Sequence, residues 1–418
     1  MNKHTTIVKA PLLILMMLWM VSIAGAASTE TQPDHNWTIH LRSHALTRDK
    51  SDQQADSEAW AGGGWIGYQS GWRNRRWMIG ATAYSAQPLY APSDKDGTAL
   101  LLTEQKSYSV LGEAYAKVKL DTHLLTAGRF IIQDFEVNPQ DTRMTPRTFE
   151  GVSLAGSSKN IQYFTAAIDK MKARNWDTFE QVAQVAGAPD GINEPLLLVS
   201  LRTSPIPSLN LAASYYRLKD LLQSTYTEAL WQQRLSKVSR FTFGGQWMHQ
   251  QSDGAHRLTG DDFQTQSVGI RAALTVGAYT LSAHRMQTDA AAAYRTPFGS
   301  WAGYASRIIT NFNRAGESVS GLDLGIDFTT YGIEGLTLHS SATIGTEAIQ
   351  ANSRLPLPDQ QEYDMTVDYR FQQAYWPSWL NPLHLRARIG RLEQQLADAH
   401  NNTMEYHLIM NYEWRLPQ

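Results

Sequence analysis

Hydrophobic and polar residues alternate with a period of two over most of the chain. The clearest example lies near the C-terminus, where one series of alternate positions is apolar and the other is mostly polar. The apolar series is Tyr406, Leu408, Met410, Tyr412, Trp414 and Leu416, and the polar series contains Glu405, His407, Asn411, Glu413 and Arg415. Because successive side chains of a strand point to opposite faces, the pattern predicts a β-strand with one apolar and one polar face.

The same alternation, bounded by turn residues, predicts eighteen strands. They cover 35–45, 60–70, 73–85, 105–120, 122–130, 149–157, 161–169, 195–204, 209–218, 225–235, 239–249, 264–276, 279–287, 319–330, 335–346, 361–373, 383–393 and 404–416. Long polar stretches between strands alternate with short ones. The long stretches are 46–59, 86–104, 131–148, 170–194, 250–263, 288–318 and 347–361, and the short ones are 71–72, Asp121, 158–160, 205–208, 236–238, 277–278 and 331–334. We therefore expect loops at one end of the sheet and turns at the other.

This asymmetry is typical of β-barrels of the bacterial outer membrane. Such barrels have an even number of alternating strands, short periplasmic turns, longer external loops and aromatic residues at both membrane interfaces. The 13 Trp and 18 Tyr residues suit such interfaces. We predict an all-β fold, a transmembrane antiparallel β-barrel of eighteen strands in the bacterial outer membrane. A secreted soluble β protein is the alternative.

Composition and charge exclude several other classes of protein. The 37 Lys and Arg residues and 39 Asp and Glu residues give a formal net charge of −2, which argues against a nucleic-acid partner. The chain has no Cys, which excludes a disulfide scaffold, a thiolate zinc site and a cysteine nucleophile. The sequence also contains no HExxH pair, P-loop or GxSxG elbow, so we expect no catalytic site, cofactor or metal.

Residues 1–26 have the pattern of a secretory signal peptide. Lys3, His4 and Lys9 precede an apolar run, 11–23, that is followed by the small residues AGA at 24–26. A membrane anchor is the weaker alternative, because the apolar run is shorter than the ~20 residues that a spanning helix needs. We therefore predict a cleaved leader over 1–26 and a barrel over 27–418.

Several motifs, in this order, resemble the substrate-selective outer-membrane porins of the OprD type. The first strand leads into LRSHALTRD at 41–49, and RMTPRTFEG at 143–151 is similar to the R-x-x-P-x-T-F-x-G run at the family's constriction loop. NFNRAGE at 311–317, GIEGL at 332–336 and LRAR at 385–388 match later segments of the family. The resemblance covers the chain from residue 35 to its end and implies a porin with a constricted pore.

Basic residues occupy the polar faces of several predicted strands. His384, Arg386 and Arg388 stand at alternate positions, so one strand directs all three into the lumen. The other cations on predicted lumenal faces are Arg42, Lys117, Lys119, Arg271 and Arg370. The resemblance implies that the 384–388 row is part of the family's basic ladder, which guides anionic groups. The alternative is that these cations pair with lumenal acids and stiffen the wall.

The third long loop, 131–148, is the candidate constriction. It carries the acids Asp134 and Asp141 and the cations Arg143 and Arg147. If it folds inward, it places both signs of charge across from the basic row, which would orient charged or zwitterionic solutes. The loop 288–318 could line the pore or cap the outside.

We therefore expect a porin for passive, selective diffusion of small hydrophilic solutes, such as amino acids, small peptides or carboxylates. Its other partners would be outer-membrane lipid and lipopolysaccharide, with a homo-oligomer possible in principle. Two other functions stay open at this point. A receptor or adhesin barrel would depend on its external loops, and a barrel lipase or protease would need a catalytic cluster.

Overall fold

In a computed structural model of the protein, the structure describes residues 35–51, 55–396 and 399–417, so the predicted leader, 1–26, lies outside the described residues. These residues form one antiparallel sheet of nineteen strands. The strands are β1 (His35–Lys50), β2 (Ser57–Ser70), β3 (Trp77–Tyr90), β4 (Tyr108–Leu120), β5 (His123–Phe130), β6 (Thr148–Ser158), β7 (Ile161–Lys172), β8 (Glu180–Gln181), β9 (Leu196–Ile206), β10 (Leu209–Leu218), β11 (Leu222–Arg234), β12 (Ser239–Ser252), β13 (Gln264–Val276), β14 (Tyr279–Thr288), β15 (Ser318–Asp327), β16 (Leu336–Thr346), β17 (Asp359–Arg370), β18 (Leu383–Leu396) and β19 (Ala399–Pro417).

Short helices lie between some of the strands. They are one α-helical turn, Val182–Val185, and the 3₁₀ turns Thr103–Gln105, Phe328–Tyr331 and Ser378–Leu380. None of the helices in the described part of the chain has the length and apolar character of a membrane-spanning helix.

The sheet closes on itself as a barrel. β19 pairs with β1 in antiparallel register from Asn36 opposite Pro417 to Lys50 opposite Thr403. β8 adds only two residues beside β7, whereas β7 and β9 pair directly over eight residues of each strand. The fold is therefore a closed barrel of eighteen strands plus one extra strand, which confirms the prediction. Closure pairs the backbone groups of both edge strands, as a lipid environment requires.

The two faces of the wall differ in polarity. Leu408, Leu322 and Leu281 point outward and are 63%, 57% and 56% exposed. Glu405 and His44, on the inner face of β19 and β1, are completely buried. Apolar side chains therefore meet lipid, and the lumen is lined by polar groups that form contacts with one another and with the inward loops.

Some connections do not follow the predicted alternation of long and short. One external connection, 219–221, has only three residues, and one periplasmic connection, 371–382, has twelve. An aromatic cluster fills the long periplasmic connection. The Trp376 indole donates a hydrogen bond to the Tyr369 hydroxyl (2.8 Å), and the rings of Phe371 and Trp376 lie 5.3 Å apart. This connection thus supplies aromatic groups at the barrel end.

Several strands are longer than their alternation predicts. β1 continues to Lys50 and β19 begins at Ala399, so this part of the wall extends further outward than predicted. β15, by contrast, ends at Asp327, before the predicted boundary at 330. There the Asp327 carboxylate accepts a hydrogen bond from the Thr329 amide (2.9 Å) and caps a 3₁₀ turn, which ends at Gly332 in a left-handed conformation (φ 80°).

Candidate solute pathway

The third loop, residues 131–147, crosses the lumen. Near its start, the Asp134 carboxylate accepts hydrogen bonds from Ser200 on β9 and from Ser214 on β10 (3.0 Å for Ser214). Near its end, Asp141 forms an ion pair with Arg42 on β1 (2.5 Å). Strands β1 and β10 stand eight strands apart in a ring of eighteen, so they lie almost opposite each other. A loop that contacts both must pass through the lumen.

Glu136 is buried where the third loop meets the wall. Its carboxylate accepts hydrogen bonds from the Ser224 hydroxyl of β11 (3.0 Å) and from the Tyr294 hydroxyl (2.6 Å). Burial raises the pKa of Glu136 to about 7, although these two hydrogen bonds oppose the change. The attachment of the third loop to the wall therefore depends on whether the Glu136 side chain is protonated.

We expect the docked state of the third loop to be less stable at high pH. An unperturbed Glu side chain titrates near 4.5 and docked Glu136 near 7, so the docked loop binds the proton more tightly. The contribution of this proton to docking is fully present below the unperturbed pKa. It is lost as the pH rises towards the pKa of the docked side chain. Single-channel current should be steadier near about pH 5 than near about pH 8.

The variant Glu136→Gln provides the control for this pH dependence. It keeps the size of the side chain and an acceptor oxygen but removes the ionisation, so its current should be equally steady at both pH values. If the unsubstituted protein shows the same current noise at both pH values, the titration of Glu136 does not control the loop.

The seventh loop, residues 289–317, also lies inside the barrel. The Tyr304 hydroxyl donates to Glu228 on β11 (2.8 Å), and Arg307 pairs with Asp323 on β15 (3.2 Å). The tip of the loop reaches β17, where the Glu362 carboxylate accepts hydrogen bonds from the amides of residues 309 and 310 (2.6 and 2.9 Å). The loop thus lies along the inner wall from β11 to β17, and it does not cap the outside.

The third and seventh loops contact each other. The Asn138 side-chain amide donates to the Ser300 carbonyl (3.3 Å), and the Arg147 guanidinium donates to the Pro297 carbonyl (2.9 Å). Tyr294 adds its bond to Glu136. Together the two loops form a continuous partition within the lumen, which faces the remaining wall.

That remaining wall carries the basic row predicted on β18. His384 and Arg386 both contact the Asp368 carboxylate of β17, at 2.5 and 2.7 Å. The Arg388 guanidinium Nε lies 3.4 Å from the Thr366 hydroxyl, and in the described part of the chain no carboxylate lies within ion-pair distance of it. Arg388 therefore keeps most of its hydrogen-bonding capacity for another acceptor.

Arg42 and Arg370 lie beside this row. Arg370 is opposite His384 in the β17–β18 register, and both His384 and Arg42 are opposite Asn411 of β19. Four adjacent strands thus place these residues in one line across the barrel seam, which is the junction where β19 pairs with β1. Arg42 is the most constrained of them, because it pairs with Asp141 and also donates to the Asn411 side chain (2.7 Å).

Other predicted pathway cations lie elsewhere. Lys117 lies over the ring of Tyr115 (4.6 Å) and Lys119 over that of Trp72 (3.9 Å), near the periplasmic end of β4. Arg271 on β13 lies over the Tyr304 ring (4.7 Å). These three cations are on walls distant from β18, so the structure does not bring them together with the 384–388 row.

The charged residues predicted in the third loop mainly hold that loop in place. Arg143 donates to the Thr98 carbonyl (2.8 Å), as Arg147 does to Pro297, and the Asp134 side chain is only 2% exposed. Asp141 is the more accessible acid, with 40% of its side chain exposed. Burial of the other three groups favours an anchoring role over direct contact with solutes.

Some lumenal residues escaped the sequence analysis. Arg202 of β9 and Glu362 of β17 both face inward, and neither was singled out. The signal for Arg202 was present, because Leu197, Val199 and Leu201 alternate with Ser200 and Arg202 along the strand. The role of Glu362 depends on amide groups of a distant loop, which alternation does not reveal.

Solved structures of porins resemble this fold closely. The Pseudomonas aeruginosa porin OccK9 (OpdG) superposes with a TM-score of 0.80 at 21% sequence identity, covering 92% of this chain and 99% of the other. Acinetobacter baumannii OccAB4 gives a TM-score of 0.79 at 19% identity, with the same coverage. Pseudomonas aeruginosa OpdK with vanillate gives 0.79 at 16% identity, again with that coverage. At these identities the likeness establishes the fold.

A protein-family comparison extends over nearly the whole chain. The model described as an outer membrane porin of the OprD family matches residues 32–416. No curated protein matches the sequence. The family match confirms the resemblance seen in the motifs, together with the outer-membrane location, and it excludes the soluble alternative. The protein therefore belongs to the OprD family of bacterial outer-membrane porins.

Proposed function

We propose that this porin passes small hydrophilic solutes that bear a carboxylate, such as amino acids, small peptides and simple carboxylates, down their concentration gradient. The observation that supports the proposal is Arg388, a lumenal guanidinium for which the described residues provide no carboxylate partner. It lies two residues after Arg386 on the same face of β18. A solute carboxylate is the acceptor that suits it.

The chemistry of guanidinium suits passage as well as binding. Arginine presents planar pairs of N–H donors that match a carboxylate, yet the group is only weakly hydrated and its contacts exchange readily. Conduction requires sites that are favourable enough to enter and weak enough to leave. Arg388 and Arg386 lie on β18 and Arg370 lies on the neighbouring strand β17, so a carboxylate can move from one to the next.

The surrounding charges favour anionic groups. The line near the seam contains four arginines, Arg42, Arg370, Arg386 and Arg388, and its ion-pair partners are the two carboxylates of Asp141 and Asp368. Within this line, the arginines therefore outnumber their ion-pair partners by two. The similar structure of OpdK holds vanillate, itself a carboxylate, which is consistent with this class of solute.

Liposome swelling tests the proposal with a matched pair of solutes. Propionate and propionamide have nearly the same size and shape, but only propionate carries a charge. Liposomes that contain the purified porin should admit propionate faster than propionamide. Equal rates, or faster entry of the amide, would show that size alone governs passage and would overturn the proposal.

A further inference from the structure

A second pair of charged residues faces the lumen on the wall opposite the basic row. Arg202 of β9 and Glu228 of β11 are both opposite Ala212 of β10 in the strand registers. The three residues thus form one row across three adjacent strands. With strands about 4.8 Å apart, the backbones of the two charged residues are about 9–10 Å apart, and only a methyl group lies between them.

The two charges do not neutralise each other. Glu228 accepts a hydrogen bond from the Tyr304 hydroxyl (2.8 Å), and in the described part of the chain no cation lies within ion-pair distance of it. Arg202 donates to Asp134 (3.3 Å), but that carboxylate is almost wholly buried and already accepts bonds from Ser200 and Ser214. Arg202 has 45% of its own side chain exposed, so donors remain available towards the lumen.

A cavity occupies the space between these side chains. Its volume is ≈ 490 Å³. Its lining includes Arg202, Glu228, Ala212, Gln162 and Phe135. A volume of this order lies within the range of about 300–1,000 Å³ that is typical of small-molecule pockets.

The cavity lies against the third loop. The Phe135 ring stacks on Tyr226 of β11 (4.4 Å) and lies under the Arg202 guanidinium (4.6 Å). These contacts hold the guanidinium in a fixed orientation beside the cavity. Arg202 also lies only four residues before Ile206, the periplasmic end of β9. The cavity therefore adjoins the periplasmic part of the pathway.

We propose that Arg202 and Glu228 form a subsite for zwitterionic solutes, in which Arg202 binds the carboxylate and Glu228 binds the ammonium group. The inference rests on the proposed function and narrows it from carboxylates in general to solutes that also carry a positive charge. Ala212 leaves the gap between the two charges that the solute fills. A purely structural pair would instead be in direct contact.

Two related solutes separate the contributions of the two charges. Alanine carries both charges, and propionate lacks the ammonium group. The measurement is inhibition of ionic current through single channels in a planar bilayer, with each solute added in turn. Glu228→Gln should weaken inhibition by alanine about tenfold and leave inhibition by propionate unchanged, since a hydrogen bond to a charged group contributes about that factor. Arg202→Gln should weaken inhibition by both alanine and propionate.

Two further variants control for the loss of charge alone. Glu413→Gln removes an acid near the end of β19, and Arg240→Gln removes a cation near the start of β12. Neither should change the discrimination between alanine and propionate. Each variant is first checked for the heat-modifiable gel migration of a folded barrel, so that a misfolded protein is not scored.

The outcomes distinguish the subsite from the proposed function. If Glu228→Gln leaves inhibition by alanine unchanged, or weakens alanine and propionate equally, the zwitterion subsite is wrong. If the channel excludes propionate while the Glu228 effect on alanine persists, the subsite stands and the broader carboxylate function is wrong.

Discussion

Replacement of both Arg386 and Arg388 by alanine is expected to reduce carboxylate flux by about tenfold or more. A hydrogen bond to a charged group contributes about 1.5–3 kcal/mol, and 1.4 kcal/mol corresponds to a factor of ten in occupancy. Arg388 has no ion-pair partner among the described residues, and Arg386 is its neighbour on the same face of β18. Uptake of propionate into liposomes measures the effect directly.

The matched control removes two cations from another wall. In Lys117→Ala plus Lys119→Ala, the lost ammonium groups lie against Tyr115 and Trp72 on or beside strands distant from β18. Flux should change much less in this control, although the loss of charge is the same. Both proteins should retain heat-modifiable migration. If the variant that lacks Arg386 and Arg388 shows unchanged carboxylate flux and ion selectivity, then the 384–388 row does not act as a basic ladder.

The substitution Glu362→Ala is expected to detach the tip of the seventh loop from the wall. The carboxylate accepts the amide hydrogens of Ile309 and Thr310, and alanine leaves both without that acceptor. Loss of two such bonds amounts to about 3 kcal/mol or more, which is enough to populate the detached state. We expect larger and noisier single-channel currents, because the loop no longer narrows the lumen.

Two other substitutions accompany this one. The first should have an intermediate effect, and the second is a control for the loss of an acid. Glu362→Gln keeps one acceptor oxygen and should give an intermediate current. Glu393→Ala removes an acid from the neighbouring strand, where it pairs with Arg391 (2.6 Å), and should leave the current unchanged. If Glu362→Ala conducts like the unsubstituted protein, with the same noise, then these bonds do not position the loop.

The barrel itself was predictable because each strand carries its own local pattern. Along β18, His384, Arg386 and Arg388 alternate with Leu383, Leu385 and Ala387, and a period of two assigns each residue to one face without knowledge of its neighbours. The seam was predictable for the same reason, since a closed barrel must bring the last strands beside the first. Arg42 and His384 accordingly meet across Asn411.

The interior partition was not predictable in the same way. The bond between Arg42 and Asp141 joins residues 99 positions apart, and the bond between Glu136 and Tyr294 joins residues 158 positions apart. Such contacts depend on the path of irregular loops, for which no periodic signal exists. The alternation pattern therefore places charges in the third loop but does not separate those that anchor it, such as Asp134, from those that face the pathway.

The loops also explain why the two sides of the pathway differ. The third and seventh loops contact the wall on the β9–β15 side, where acids such as Glu228 and Asp323 meet tyrosine and arginine side chains. They also reach the seam side, at Glu362 of β17 and Arg42 of β1, where arginines line the wall. A solute with both charges can therefore orient its carboxylate towards the seam or towards Arg202, and its ammonium group towards Glu228.

Single-channel recording under a salt gradient, with carboxylates added as blockers, tests the central claim most directly. The measurement requires purified protein that shows heat-modifiable migration, so that only folded barrels are compared. We expect small conductance steps, a reversal potential that favours anions, and block by propionate that propionamide does not reproduce. A silent bilayer, or a cation-preferring channel that carboxylates do not block, would contradict the account of an arginine-lined, carboxylate-selective pore.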